Sequence, residues 1–230
     1  MHANIENFRY FLLQLPGKGD LVAFDGEFVS VEAARTAVNA EGKRVARSVG
    51  RQFLARISVI DQAKEVLVDD YVLPTETVVD YLTRFSGIVE DDLSAATSRH
   101  PLVQNRTAIM KLRYFVDAGC IFVGHGLQKD FETANLFVPP DQIKDTVELW
   151  RLPDKRKISL KFLAAYILGA DIQDEVHDSI EDAKTALALY EHYVKLREEG
   201  EEKLQAKIQA LYALGSQNNW MIGLDRIEER

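Results

Sequence analysis

The sequence predicts an α/β domain: a mixed five-stranded sheet with helices on both faces. Three stretches carry the prediction. Leu21 to Val29 reads LVAFDGEFV, the near-continuous apolar run of a strand buried on both faces. Residues 121 to 131, IFVGHGLQKDF, pass from an apolar run through a Gly-His-Gly turn into a helical pattern. Ala183, Ala186, Leu187, Leu189, Tyr190, Tyr193 and Val194 recur at the helical spacing of one buried stripe.

Taken in order, Asn4 to Leu15 reads as a short amphipathic helix ended by Pro16 and Gly17, and strand one follows at Leu21 to Val31. The polar, alanine-rich stretch up to Gly42 reads as a surface loop. Arg51 to Ile60 and Glu65 to Val72 alternate in polarity and should pair with the first strand as an antiparallel run. Thr75 to Phe85 and Asn105 to Ala118 read as helices, with a turn at Ser86, Gly87 and Ile88. Cys120 to Val123 and Lys144 to Leu149 complete the five strands. Helices are expected at Lys129 to Phe137, Ser159 to Leu168 and Ser179 to Leu196. Ser179 with Asp182 three residues on resembles a capping box. Past a break at Gly200, the charged stretch Glu198 to Leu214 should dock through Leu204, Ile208, Leu211 and Tyr212.

The composition bounds the class. A chain of 230 residues with 47% hydrophobic and 28% charged residues is expected to form one globular domain with a full core. No apolar run is long enough for a membrane span and no charged-then-apolar leader opens the chain, so a cytoplasmic setting is expected. The single cysteine, Cys120, excludes an internal disulfide and fits a small buried residue. The net charge of -8 is unusual for a protein that meets nucleic acid. The basic runs Lys43 to Arg51 and Arg151 to Lys161 read first as solvated loop faces, although they could flank a nucleic-acid strand.

Chemistry concentrates in four carboxylates and a histidine. Asp25 and Glu27, two apart on a strand, project to the same face about 7 Å from one another. Two anions that close call for a cation, and oxygen ligands suit magnesium or manganese better than zinc. The competing reading is a solvated strand end. Asp130 falls in the first turns of the helix after the Gly-His-Gly turn, where strand ends of open α/β folds place ligands. A favourable charge at a helix start is its competing role. Asp182 stands early on the last stripe as either a ligand or a capping group. His177, in the loop before it, could take a proton from water near neutral pH. Three or four carboxylates with one histidine suit two-metal phosphodiester hydrolysis, in which two ions about 3.5 to 4 Å apart clamp the reacting phosphate.

These residues resemble the three motifs of the DEDDh 3'-5' exonucleases, in order: Asp-x-Glu at Asp25 and Glu27, an aspartate at Asp130, and His-x4-Asp at His177 and Asp182. The chain is further similar to the exonuclease domain of the catalytic subunit of the PAN poly(A) nuclease. The segments GDLVAFDGEFVSVE, ARISVI, DDYV, DYLTRFSGI, FVGHGLQKDF, VPPDQIKDT, SLKFLAAYILG and VHDSIEDAKTAL carry that similarity, with a closing Trp220. The resemblance implies a ribonuclease H-like fold and a metal-dependent exoribonuclease that shortens poly(A) tails and releases 5'-AMP. It implies two Mg2+ or Mn2+ ions held by Asp25, Glu27, Asp130 and Asp182. Asp25 would bridge both, Glu27 and Asp182 would hold the ion that activates water, Asp130 would support the other, and His177 would be the base.

As partners the resemblance implies single-stranded RNA, the poly(A) tail of mRNA, a pseudokinase-like regulatory subunit and a poly(A)-binding protein. Substrate contacts are expected among Phe28, Ser86, Gly87, Leu127 and Phe131, although Phe28 and Phe131 also read as core. His125 reads as structural, and Asp145 and Asp178 as possible supports of the site. Residues 1–230 are expected to form a single DEDDh exonuclease domain, either excised from or a short relative of a multidomain subunit with a propeller and an inactive hydrolase-like domain. Gly26, where that family usually has alanine, should loosen packing on the face away from the carboxylates. The alternatives are a trimming exonuclease without poly(A) preference and a catalytically silent RNA-binding module.

Overall fold

A computed structural model describes residues 15–33, 35–38, 44–48, 50–170, 172 and 177–222. The helix expected at Asn4 to Leu15 lies outside them except for its last residue. In chain order the described elements are β1 (Leu21–Glu32), β2 (Arg35–Val38), β3 (Arg44–Ser48), β4 (Arg51–Asp61), β5 (Val66–Leu73), α1 (Thr83–Ser86), β6 (Leu102–Gln104), α2 (Asn105–Asp117), β7 (Ile121–Gly124), α3 (Leu127–Thr133), β8 (Ile143–Asp145), α4 (Thr146–Leu149), α5 (Leu160–Leu163), α6 (Ser179–Glu199) and α7 (Glu201–Gln217).

Six strands form the main sheet in the order β6-β5-β4-β1-β7-β8. The antiparallel run β1-β4-β5 is as the alternation predicts, and β6, β7 and β8 each join in parallel. The expected five strands become six because β6, only three residues long, is too short to show a period in sequence. β8 stops at Asp145, not Leu149, because the Asp145 side chain accepts from the Val147 N–H at 2.9 Å and turns the chain into α4.

Two other expectations are corrected. The stretch read as a loop up to Gly42 contains β2, which pairs antiparallel with β3 as a separate ribbon; Thr36, Val38 and Val45 supply the β-branched character that favours strands. The helix expected over Thr75 to Phe85 is confined to Thr83–Ser86. Upstream of it the backbone bonds to β1 instead, Val79 N–H to Ser30 O and Ser30 N–H to Asp80 O, both at 2.8 Å, while Asp80 Oδ1 accepts from the Leu82 N–H at 2.9 Å.

The two faces of β1 bury different partners, as the period of two requires. Val22 and Phe24 join Ile57 and Val59 of β4 in a core against Ala108, Leu112 and Phe115 of α2. Ala23 faces the other way, with Ile60 and Val123, onto Ala183 and Leu187 of α6. Asp25 and Glu27 continue that second face. α7 docks on a third cluster, around Trp150, Phe162 and Leu189, through Leu204, Ile208, Leu211 and Tyr212, the four positions the stripe marks. The break before it is Gly200, at φ 137. Among the described residues no helix is long and apolar enough to cross a membrane.

Candidate active site

The site lies where β1 changes from core to charge. After the fully buried Val22, Ala23 and Phe24, Asp25 is half-buried and Glu27 is buried. Directly after Glu27 the β1–β4 register slips by one residue, with Glu27 opposite Arg56 and Phe28 opposite Leu54. Such a bulge re-aims side chains locally. Gly26 presents its missing Cβ to the opposite face, where a methyl would meet the Phe24 and Phe28 rings at 3.3 and 3.4 Å. A side chain there is thus tight against aromatic rings and away from the carboxylates.

The turn into α3 needs both of its glycines. A Cβ on Gly124 would stand 2.3 Å from Leu127 Cδ2 and 2.7 Å from the Phe24 carbonyl, and Gly126 holds φ +92. The turn is pinned by Asp145, whose Oδ1 accepts from the Gly126 N–H at 2.8 Å. Asp130 follows one turn into α3. Its neighbour Phe131 stacks on Phe24 with ring centroids 5.6 Å apart, which anchors the helix to β1.

Asp182 enters on the buried side of α6. The cap of that helix is Asp178, one residue before the expected Ser179: its Oδ1 accepts from the Ile180 and Glu181 N–H groups at 3.0 and 3.1 Å. Ser179 is buried instead, with its hydroxyl 2.6 Å from that of Ser58. With the cap met by Asp178, Asp182 points to the sheet, and its Oδ2 lies 3.1 Å from His177 Nδ1.

Asp25, Glu27, Asp182 and His177 together line a cleft of about 430 Å³, whose walls also include Arg156, Lys157 and Ile158. Asp130 adjoins this cleft, close enough for its charge to bear on Asp25 and Glu27. A larger groove of about 840 Å³ runs along α3 and β8, but Asp25, Glu27, His177 and Asp182 are absent from its walls. Size therefore does not mark the chemistry here.

The electrostatics of the cleft are those of crowded anions. Burial, then repulsion from Glu27, Asp130 and Asp182, lifts Asp25 well above the usual carboxylate range. Burial and then Asp182 push Glu27 to about 8, against the pull of Arg56. Burial and Asp145 raise Asp130 to about 7. Each shift says that the site is short of positive charge. Hard divalent cations answer that need, and Mg2+ commonly takes only one or two carboxylates while completing its shell with water and phosphate oxygens. The donor set fits such an ion in kind, since Asp25, Glu27 and Asp182 line one cleft and Asp130 adjoins it, although among the described residues no three His, Cys, Asp or Glu groups are gathered closely enough to hold one as the side chains stand.

The other expected contacts fall apart by location. Leu127 is fully buried and Phe131 is 5% exposed, so both side chains are spent on the core and neither offers a face to a base. Phe28 is half-buried and packs on the same core. Ser86 is buried, its hydroxyl donating to the Tyr81 carbonyl at 2.7 Å and accepting from the Ile88 N–H, and Gly87 ends α1 at φ 68. That turn keeps its polar groups satisfied internally. His125 lines the cleft with Nδ1 2.9 Å from Thr146 Oγ1, and burial lowers it to about 4, so it is neutral near pH 7.

Arg56 belongs to none of the sequence motifs, yet it stands beside the site. It is 7% exposed, opposite Glu27. Its signal in the sequence is a lone cation inside the apolar run FLARISVI, on a strand predicted to pair with the one carrying the carboxylates.

Fold and cleft together are those of a ribonuclease H-like nuclease domain, a mixed sheet with acidic groups on its central strand. The family described as Exonuclease, of the RNase T type, matches residues 22–190, and the chain belongs to it. Exonucleases of this family generally depend on divalent metal ions. The chain is 45% identical over 207 residues to the PAN2-PAN3 deadenylation complex catalytic subunit PAN2 of Cryptococcus neoformans, covering 88% of this chain and 18% of that protein. To the corresponding human subunit it is 42% identical over 217 residues, 92% of this chain and again 18% of the relative. The chain thus spans about a fifth of the length of these curated relatives. Among solved structures it is similar to the Saccharomyces cerevisiae apo Pan2 pseudoubiquitin hydrolase-RNA exonuclease module in complex with A7 RNA. The TM-score is 0.79 at 39% identity, over 91% of this chain and 34% of that one. The Neurospora crassa Pan2 catalytic unit gives 0.74 at 39% identity, over 86% and 30%.

Proposed function

We propose that the chain is a metal-dependent 3'-5' exoribonuclease that shortens mRNA poly(A) tails and releases 5'-AMP. The observation that carries the reading is the convergence of Asp25, Glu27, Asp182 and His177 on one cleft from elements that are far apart in sequence. The similarity to deadenylase catalytic subunits supports the choice of substrate. The domain would act on single-stranded RNA within a cytoplasmic deadenylase assembly, with a pseudokinase-like regulatory subunit and a poly(A)-binding protein as partners. Within it, residues 1–230 would serve as one exonuclease domain.

Asp25, Glu27, Asp130 and Asp182 would hold two Mg2+ or Mn2+ ions. Bound there, such ions supply Lewis-acid stabilisation of phosphate charge and a lowered pKa for the attacking water. His177 is the general base. Its Nδ1 faces Asp182 Oδ2, which orients the ring and leaves Nε2 to accept the proton. Arg156 and Lys157, which line the same cleft, would meet the RNA backbone as positive charge. Arg156 is held in place by its guanidinium 4.4 Å over the Trp220 ring and by the Tyr212 hydroxyl, which donates to its carbonyl at 2.6 Å.

The test is digestion of a 5'-labelled RNA with a mixed-sequence body and an A-tail, with Mg2+ or with chelator, by wild type beside His177→Ala. The expected result is a ladder that shortens from the 3' end and stalls at the body. It should disappear with chelator and slow by about 10²- to 10⁴-fold without the histidine. Equal digestion of the body would leave a general trimming exonuclease, and cleavage within a 3'-blocked RNA would refute the exonuclease reading.

A further inference from the structure

Arg56 joins three elements at once. From the middle of β4 its Nε and Nη2 bond Asp69 Oδ1 and Oδ2 on β5, at 2.7 and 3.1 Å. Its Nη1 reaches Asp178 Oδ2 at the start of α6, at 3.2 Å. The guanidinium lies 5.0 Å above the Tyr71 ring. Two residues along β4, the Ser58 hydroxyl contacts both Asp69 Oδ1 at 3.1 Å and the Ser179 hydroxyl at 2.6 Å. Sheet and helix are therefore stitched by two parallel contacts, one through Asp178 and one through Ser179.

The position of the stitch gives it a consequence. Asp178 directly follows His177 and stands four residues before Asp182. Its two oxygens are divided: Oδ1 caps the helix, and Oδ2 binds Arg56. Where the guanidinium sits thus sets where the first turn of α6 sits over β1. Arg56 is buried, while the Asp69 and Asp178 side chains are 30% and 52% exposed; partly solvated pairs of this kind add little net stability, whereas their directional bonds restrict geometry closely. Stability is consequently a weak reason for placing three charges here, and alignment a stronger one.

We infer that Arg56 is a positioning residue for the exonuclease reaction: by bracing Asp69 and Asp178 it holds His177 and Asp182 in register with Asp25 and Glu27. This deepens the function proposed above and rests on it. The guanidinium also offsets part of the burial and mutual repulsion that raise Asp25 and Glu27.

The experiment compares Arg56→Met, Arg56→Lys and Asp178→Asn with wild type. Asparagine caps a helix as well as aspartate, so Asp178→Asn removes the ion pair and spares the cap. Two quantities are read: kcat and KM on an A-tailed RNA, and the His177 imidazole resonances in isotopically labelled, metal-free protein, assigned by their loss in His177→Ala. A displacement of reacting groups on the order of 1 Å costs up to about a hundredfold in rate, so kcat should fall between about tenfold and a hundredfold in Arg56→Met and Asp178→Asn. KM should stay within about twofold, and the His177 resonances should move. Arg56→Lys, which keeps the charge without the fork, should fall between. A folded variant with wild-type kcat and unmoved His177 resonances overturns the inference. If Arg56→Met does not fold, Asp178→Asn alone decides by the same two readings. If wild type does not digest RNA, the exonuclease reading itself fails, and the metal-free resonances still decide whether Arg56 positions His177.

Discussion

Two clusters of charge, one around the buried Arg56 and one around the buried Glu27, face one another across the β1–β4 ladder. On β4, Arg56 is matched by Asp69 and Asp178, and Ser58 and Ser179 satisfy one another and Asp69. Burial disfavours the charge on Arg56, but the hydrogen bonds and charge of Asp69 more than compensate and hold it firmly protonated. On β1, Asp25 and Glu27 share their space with Asp182 and Asp130, and Arg56, the cation whose charge bears on both, is already engaged elsewhere. A buried charge thus has opposite meanings in the two. Where donors and acceptors are matched, a polar cluster fixes geometry; where anions are gathered without enough cations, the fold holds a site at a cost that a ligand can relieve.

The comparison can be broken by deleting one carboxylate from each cluster. Asp25→Ala should reduce Mg2+-dependent turnover on the order of a thousandfold, because it removes a carboxylate proposed to hold the ions that would stabilise the reacting phosphate. The same change should raise the melting temperature in chelator, since it relieves burial of an anion among anions. Asp69→Ala should do the reverse to stability. It leaves Arg56 short of its bidentate partner and removes an acceptor from Ser58. With Arg56 8% exposed and Asp69 30% exposed at the side chain, the loss is about 2 to 3 kcal/mol, below that of a fully buried pair, measured by urea unfolding. Equal signs for the two deletions would end the distinction between the clusters.

How much of this was legible in the sequence follows from where each signal sits. Asp25, Glu27, Asp130, His177 and Asp182 stand out because a charge inside an apolar frame is costly and asks for a reason. The near-continuous apolar run places β1, alternation places β4 and β5, and the 3.6 spacing places α6 and α7. Signals failed where contacts between distant segments override local preference. Thr75 to Leu82 forms no helix because the backbone of Val79 and Asp80 bonds to Ser30 of β1 instead. Lys144 to Leu149 divides because one side chain, Asp145, ends the strand and caps a helix. Asp178 displaces Ser179 as cap because the serine is drawn to Ser58. Leu127 and Phe131 were candidates for substrate by position, yet the close turn at Gly124 and the stack on Phe24 draw both into the core. The role of Arg56 required the pairing register, which no single strand reveals.

The smallest of the expected effects tests the charge deficit without any substitution. In the unfolded chain Glu27 and Asp130 take their ordinary values of 4.5 and 3.8, whereas in the folded protein they stand at about 8 and about 7. Below the lower values both states are protonated and folding gains the full benefit. As pH rises, the unfolded chain gives up these protons while the folded protein keeps them, so the unfolded state binds fewer and stability falls across the window. The loss is complete once pH passes the folded values. In chelator the melting temperature should therefore fall by several degrees between pH 5 and pH 8, opposite to the behaviour of carboxylates held in ion pairs, and Glu27→Gln should flatten part of the slope. Saturating Mg2+ favours the ionised carboxylates and should raise the melting temperature most at pH 8, where the deficit is largest. A metal-free melting temperature that is flat or rises over the same range would mean that these anions are already compensated within the protein, and that the cleft does not differ in kind from the Arg56 cluster beside it.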